Sequence, residues 1–87
     1  MDKGVASAVR RFPAWSLEIC RLALADAGFR SLCDDFGDAE DALTRWRQIP
    51  AADGDVRTTE YATLVEELAD EIAGIVLLRR EAHADGT

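Results

Sequence analysis

The stretch TTEYATLVEELADEIAGIVLLRREA, residues 58–82, decides the fold that this sequence predicts. Its large apolar residues recur at steps of three and four, which is the spacing of one face of an α-helix. Such a helix is about 37 Å long at ~1.5 Å rise per residue. The residues of this stripe are Tyr61, Leu64, Val65, Leu68, Ile72, Ile75 and Val76. Other parts of the chain must cover them.

A second apolar seam precedes this stretch and predicts a helix over residues 29–48. Its members alternate in steps of three and four, like the a and d positions of a heptad: Phe29, Leu32, Phe36, Ala39, Leu43 and Trp46. Pro50 and the pair Asp53-Gly54 predict a turn after it, with Asp55 or Thr58 as the N-cap of a last helix over residues 57–82. So short a connection predicts an antiparallel hairpin, with the seam against the stripe.

One shorter helix is predicted before the hairpin, over residues 16–27. Ser16 is a suitable N-cap and Gly28 a suitable left-handed residue after the last turn. The apolar side of this helix carries Leu17, Cys20, Leu24 and Ala27, and Ile19, Leu22 and Ala23 widen it. A surface this broad on three turns predicts burial from two directions. Gly37, inside the next helix, marks either a kink or the close crossing of a neighbouring helix.

Residues 1–15 leave two alternatives open. Val5, Val9 and Phe12 have helical spacing, and Pro13 ends the pattern. The segment is therefore either a short amphipathic helix or a loose, disordered arm. In both cases its basic residues, among them Lys3, are expected to pair with the acidic body of this chain or of a neighbour.

Composition limits the class of protein. The chain has 87 residues, which is one domain, and 48% of them are hydrophobic, which excludes a disordered tail. Seventeen acidic residues against ten basic ones give a net charge of −7. Nucleic acid and anionic membranes attract basic surfaces, so we expect neither as a partner. No apolar run approaches the ~20 residues of a membrane span. The segment after RRFPAW is interrupted by charges, so no export signal is predicted.

These features predict a cytoplasmic protein. Thiols stay reduced in that compartment, so Cys20 and Cys33 are expected to be free and to act as small apolar side chains. A disulfide between helices is the alternative.

No pattern in the sequence predicts catalysis. There is no phosphate-binding glycine loop, metalloprotease motif, nucleophile elbow or zinc spacing, and the single histidine, His83, has no second histidine near it. We therefore expect no enzyme, no catalytic residue, no metal site and no cofactor.

The densest group of charges is DDFGDAED, residues 34–41. Asp34, Asp38 and Asp41 fall on the side of their helix opposite the apolar seam. This acidic face is interpreted first as a solvated surface, with Asp41 paired to Arg45 four residues later. Binding of a basic partner or of a hard cation such as Mg²⁺ or Ca²⁺ is the alternative.

The end of the long helix is the candidate interaction surface. Ile75, Val76, Leu77 and Leu78 are four consecutive large apolar residues, and at 100° per residue they cannot all face one neighbouring helix. Either the short helix over residues 16–27 or another chain must cover the second side. Because that helix is short, a second copy of the chain is the expected cover, so the prediction is an all-α homodimer that completes a helical bundle.

The run FRSLCDDFGDAEDALTRW, followed after a gap by EYATLVEEL, resembles short uncharacterised helical proteins of proteobacteria. The matching residues lie between positions 29 and 68: Phe29, Arg30, Leu32, Cys33, Asp35, Phe36, Ala42, Leu43, Trp46, Glu60, Tyr61 and Leu64. This resemblance implies no activity. The sequence as a whole favours a small protein-interaction or regulatory module, and an ion- or ligand-binding domain that uses the acidic face is the alternative.

Overall fold

The computed structural model describes the backbone of residues 1–49 and 52–85, and the side chains of residues 1–49 and 55–82. This part of the chain forms four α-helices and no strand: α1 (Lys3–Arg11), α2 (Ser16–Ala25), α3 (Ala27–Arg47) and α4 (Ala52–Asp85). The all-α prediction is confirmed for these residues. Helix α4 has 34 residues, about 51 Å at ~1.5 Å per residue, which accounts for the 54 Å long axis of the molecule.

The central contact is that of α3 with α4. The predicted seam supplies Phe29, Phe36, Ala39 and Leu43, all buried, while Leu32 and Trp46 are half-buried. The buried side chains of α4 are Val65, Ala69, Ile72 and Val76. These residues are spaced by three and four, so one narrow strip of α4 faces the core.

The beginning of α4 differs from the prediction. The helix already includes Asp53 and Gly54, where the sequence predicted a turn, so neither Asp55 nor Thr58 is an N-cap. Acidic residues in a first helical turn are favoured by the helix dipole, which offsets the cost of a glycine there. Pro50, the other residue of the predicted turn, lies outside the described residues.

The first residues of the chain form a docked helix and not a loose arm. Helix α1 buries Gly4, Val5, Ser7 and Ala8 and ends before Pro13, which begins a single 3₁₀ turn. The one buried polar side chain among the described residues is Ser7, whose hydroxyl accepts a hydrogen bond of 3.1 Å from Arg10 Nη2.

Helices α1 and α3 cross with almost no space between their backbones. A Cβ on Gly4 would lie 2.5 Å from Asp34 Cα and 2.6 Å from Asp34 N. A Cβ on Gly37 would lie 3.2 Å from Gly4 Cα. Of the two alternatives for Gly37, the structure therefore has the close helix crossing.

The junction around α2 corrects two predictions. Ser16 is the first residue of α2 and not its cap, because the preceding 3₁₀ turn continues directly into the helix. Gly28 lies inside α3, and no glycine of the described residues has positive φ. The junction is made by Asp26 instead, whose Oδ1 accepts a hydrogen bond of 3.1 Å from Phe29 N. Aspartate is a strong N-cap because it satisfies an otherwise free amide.

The buried side of α2 also differs from the prediction. Ile19, Leu22 and Ala23 are buried, whereas Leu17 is 56% and Leu24 is 90% exposed. Apolar residues occur all round this short helix, so spacing alone did not decide which side faces the core.

Candidate functional site

The four residues of the predicted interaction surface separate in the structure. Val76 is fully buried against the chain's own core, and Ile75 is half-buried. Including Val76 in a partner-binding surface was therefore wrong: it continues the buried strip of Val65 and Ile72. Leu77 is 47% and Leu78 67% exposed. We call these two the leucine pair.

A partly buried apolar region lies between α3 and α4, in which Leu64 is exposed, Tyr61 and Leu68 are half-buried, and Ala39 and Ala42 are buried. It is a groove of about 470 Å³ whose apolar lining consists of Ala39, Ala42, Tyr61, Leu64 and Leu68. Leu64 is 39% exposed. The groove exists because small alanines of α3 stand opposite large side chains of α4, so the two helices do not fill the space between them.

Charged side chains border this groove. Asp35, Asp38 and Arg45 of α3 line it directly. On α4, Glu67 and Glu71 lie three and seven residues after Leu64, so helical spacing places both on the same flank, and both are exposed. None of the four carboxylates forms an ion pair with a described residue. The edges of the groove are therefore predominantly negative.

The other flank of α3 and α4 is covered by α1. Arg11 donates two hydrogen bonds to Glu66 of α4, Nη1 to Oε2 at 2.8 Å and Nη2 to Oε1 at 2.7 Å. This bidentate geometry holds the pKa of Glu66 below its ordinary value. Lys3 forms an ion pair with Asp41 of α3 and lowers the pKa of that carboxyl. The basic segment thus pairs with the acidic body of its own chain.

The acidic face of α3 is solvated only in part. Helix α1 lies against Asp34, and Asp41 pairs with Lys3 and not with Arg45 as expected, whereas Asp38 stays exposed. A hydrogen bond with Asp2 raises the pKa of Asp34. Among the described residues no group of three potential ligands is placed to hold a metal ion. Asp34, Asp38 and Asp41 are therefore not brought together as a cation site.

The two cysteines are free thiols on neighbouring helices. Cys33 is fully buried, and burial raises the pKa of its thiol to about 11. A thiol in this state is protonated at neutral pH and is a poor nucleophile. Cys33 thus packs as an apolar side chain.

Polar side chains also meet between α2 and the C-terminal part of α4. Glu18, Arg21, Arg79 and Arg80 border a cavity of about 200 Å³, together with Leu22 and Ala25. Glu18 Oε2 is buried and has no hydrogen-bond partner among the described residues. The side chain of His83, the single histidine, lies outside the described residues.

The groove is the part of the site that sequence reasoning missed. Leu64 and Leu68 were assigned to a stripe that the neighbouring helix would cover completely. The available signal was the size of the facing residues, since Ala39 and Ala42 cannot fill the space opposite two leucines.

No helix within the described ranges is both long and apolar enough to cross a bilayer. A scan against protein-family models gives no match to this chain, and searches of curated proteins and of solved structures give none either. The resemblance to short helical proteins of proteobacteria stays a prediction, so the function must be argued from the geometry.

Proposed function

We infer that the chain is a protein-interaction module that binds its partners through exposed faces of α3 and α4. One observation carries this inference: large apolar side chains of α4 stay exposed after the other three helices have packed. Leu64, Leu77 and Leu78 are 39%, 47% and 67% exposed. Single exposed leucines are common, but Leu64 lines an apolar groove, which is typical of binding surfaces.

The arrangement of the two long helices supports an antiparallel hairpin. Ala25, immediately before α3, borders the same cavity as Arg79 and Arg80 near the end of α4. Arg45, near the end of α3, borders the same groove as Tyr61. These shared linings bring the start of α3 near the end of α4, and the end of α3 near the first part of α4. An antiparallel hairpin requires both.

A photo-crosslinking amino acid tests this function in living cells. We expect incorporation at Leu64 or Leu78 to give discrete crosslinked products on irradiation. The matched control is Thr44, an exposed position of α3 outside the lining of the groove, where we expect none. Equal patterns at all three positions, or no product at any, would contradict the interaction function.

A homodimer is the second part of the proposal, and the leucine pair is its contact. Burying two such leucines from each copy removes apolar surface from water, at about 25 cal/mol per Å². We expect sedimentation equilibrium to show a concentration-dependent dimer, and Leu78→Glu to shift it to monomer. A wild-type chain that stays at 9.5 kDa at high concentration would remove the dimer and leave the interaction function standing.

A further inference from the structure

We propose that the groove between α3 and α4 binds a basic amphipathic helix of a partner protein. This rests on the proposed function and names the class of partner. The groove has the two parts that a helix-binding site needs: an apolar floor and polar edges. The floor includes Ala39, Ala42, Leu64 and Leu68.

The floor has the length of a short helix. On α3 the lining of the groove, edges included, extends from Asp35 to Arg45, which is roughly 15 Å at ~1.5 Å per residue. About three turns of a docked helix would cover it. Such a helix would insert side chains spaced by three and four beside Leu64 and Leu68.

The charges at the edges of the groove favour a partner with positive charge. Asp35 and Asp38 stand on one side, and Glu67 and Glu71 follow the flank of Leu64 on the other, none of them paired with a described residue. Arg45 is the cation among the lining residues. Lysines and arginines that flank the apolar stripe of a bound helix would meet these carboxylates.

The chain itself contains an example of this mode of binding. On the opposite flank, α1 packs a small apolar stripe onto α3 and α4 while Lys3 meets Asp41 and Arg11 meets Glu66. A basic amphipathic helix therefore already fits one side of this helix pair. The groove offers related chemistry on the other side.

A second copy of the chain does not fit the groove equally well. The chain carries a net charge of −7, and pairing two identical grooves would bring carboxylate edges against carboxylate edges. Like charges opposed across an interface cost free energy. The groove and the leucine pair are therefore assigned to different partners.

Two designed peptides test the proposal against the full-length protein. Both are amphipathic helices of roughly 15 residues with the same leucine stripe; one carries lysines beside the stripe and the other glutamates. NMR titration should show binding of the lysine peptide, with shifts at the amides of Ala42, Leu64 and Leu68. The glutamate peptide should bind at least about tenfold more weakly. Added salt should lower the affinity of the lysine peptide for the protein.

Charge-reversed variants locate the binding. Glu67→Lys/Glu71→Lys should reduce affinity for the lysine peptide about tenfold or more. Asp55→Lys/Glu81→Lys changes net charge equally at exposed positions away from the groove and should reduce it far less. Circular dichroism of each variant verifies that helix content is retained.

Equal binding of both peptides, shifts that avoid the groove, or equal effects of the two double variants would overturn the proposal. A groove that takes only a second copy would also overturn it, and would appear as dimerisation that persists in Leu78→Glu without any binding of the lysine peptide. These outcomes leave the interaction function intact if crosslinking at Leu64 still gives products. Absence of crosslinking would remove the proposed function itself.

Discussion

Gly4 sets how closely α1 approaches α3. A Cβ at this position would meet the backbone of Asp34, which cannot rotate away as a side chain could. We therefore expect Gly4→Ala to lower the free energy of unfolding by about 1–3 kcal/mol, the usual cost of overpacking. Urea denaturation followed by circular dichroism measures the change.

Gly74 provides the matched control for this substitution. It is exposed inside α4, and a Cβ there would meet nothing within 4 Å. Alanine is the better helix former, so Gly74→Ala should raise the free energy of unfolding by ~0.5–1 kcal/mol. If both variants are stabilised alike, the close crossing of α1 and α3 is wrong.

The ion pair of Arg11 with Glu66 predicts how stability depends on pH. Arg11 lowers the pKa of Glu66 from its ordinary value of 4.5. A carboxyl whose pKa is lower in the folded state contributes stability above its unfolded pKa, and this is lost as pH falls through the folded pKa. Glu66→Gln should therefore be less stable than wild type at pH 7, and the difference should vanish on acidification.

The contribution of Asp34 to stability should depend on pH in the opposite direction. The hydrogen bond with Asp2 raises its pKa from 3.8, so its favourable contribution is present in acid and is lost as pH rises through the folded pKa. Asp34→Asn should thus gain stability relative to wild type at neutral pH and lose that gain below pH 3.8. Parallel pH profiles for Glu66→Gln and Asp34→Asn would contradict the assigned contacts.

At the scale of elements, α4 presents one buried strip and one exposed flank, and paired truncations distinguish them. Ile72 is fully buried, so Ile72→Ala should lower the free energy of unfolding by about 2–5 kcal/mol. Leu78 is mostly exposed, so Leu78→Ala should change it by ~0.5 kcal/mol or less at concentrations where the chain is monomeric. Thermal and urea unfolding of the two variants provide the comparison.

The long helices could be predicted from sequence because their apolar residues repeat with one period over several turns. Phe29, Phe36 and Leu43 face the core as their spacing indicates, and Val65, Ile72 and Val76 do the same. Helix α2 was oriented wrongly, since Leu17 and Leu24 have the same spacing as a buried side. Tertiary packing, which spacing does not contain, decided between the two sides.

Helix α1 could be predicted only in part, for a different reason. Its contact surface consists of Gly4, Ser7 and Ala8 as well as Val5, and small residues give little apolar signal. These small residues allow the backbones of α1 and α3 to approach closely. A single sequence does not show which glycines lie at such a crossing. The position of Asp34 beneath α1 follows from that contact, so α1 covers only part of the predicted solvated face.

At the scale of the whole molecule, the two flanks of the α3–α4 pair differ in what covers them. One flank is covered by α1, whose Lys3 and Arg11 pair with carboxylates of α3 and α4. On the other flank, the carboxylates form no ion pair with a described residue and no described helix covers the apolar groove. Of the candidate site, the sequence indicated that Leu77 and Leu78 could not face the neighbouring helix, and both are exposed. The groove depends on how large and small residues face each other, which the spacing does not show.

The central claim is that leucines of α4 remain uncovered when a single chain has folded. The most direct measurement is the broadening of leucine methyl signals by a soluble nitroxide, recorded by NMR on dilute monomer. The account predicts strong broadening at Leu64, Leu77 and Leu78 and protection at Leu22 and Leu43, which are buried. Protection of all five leucines in the monomer would contradict it.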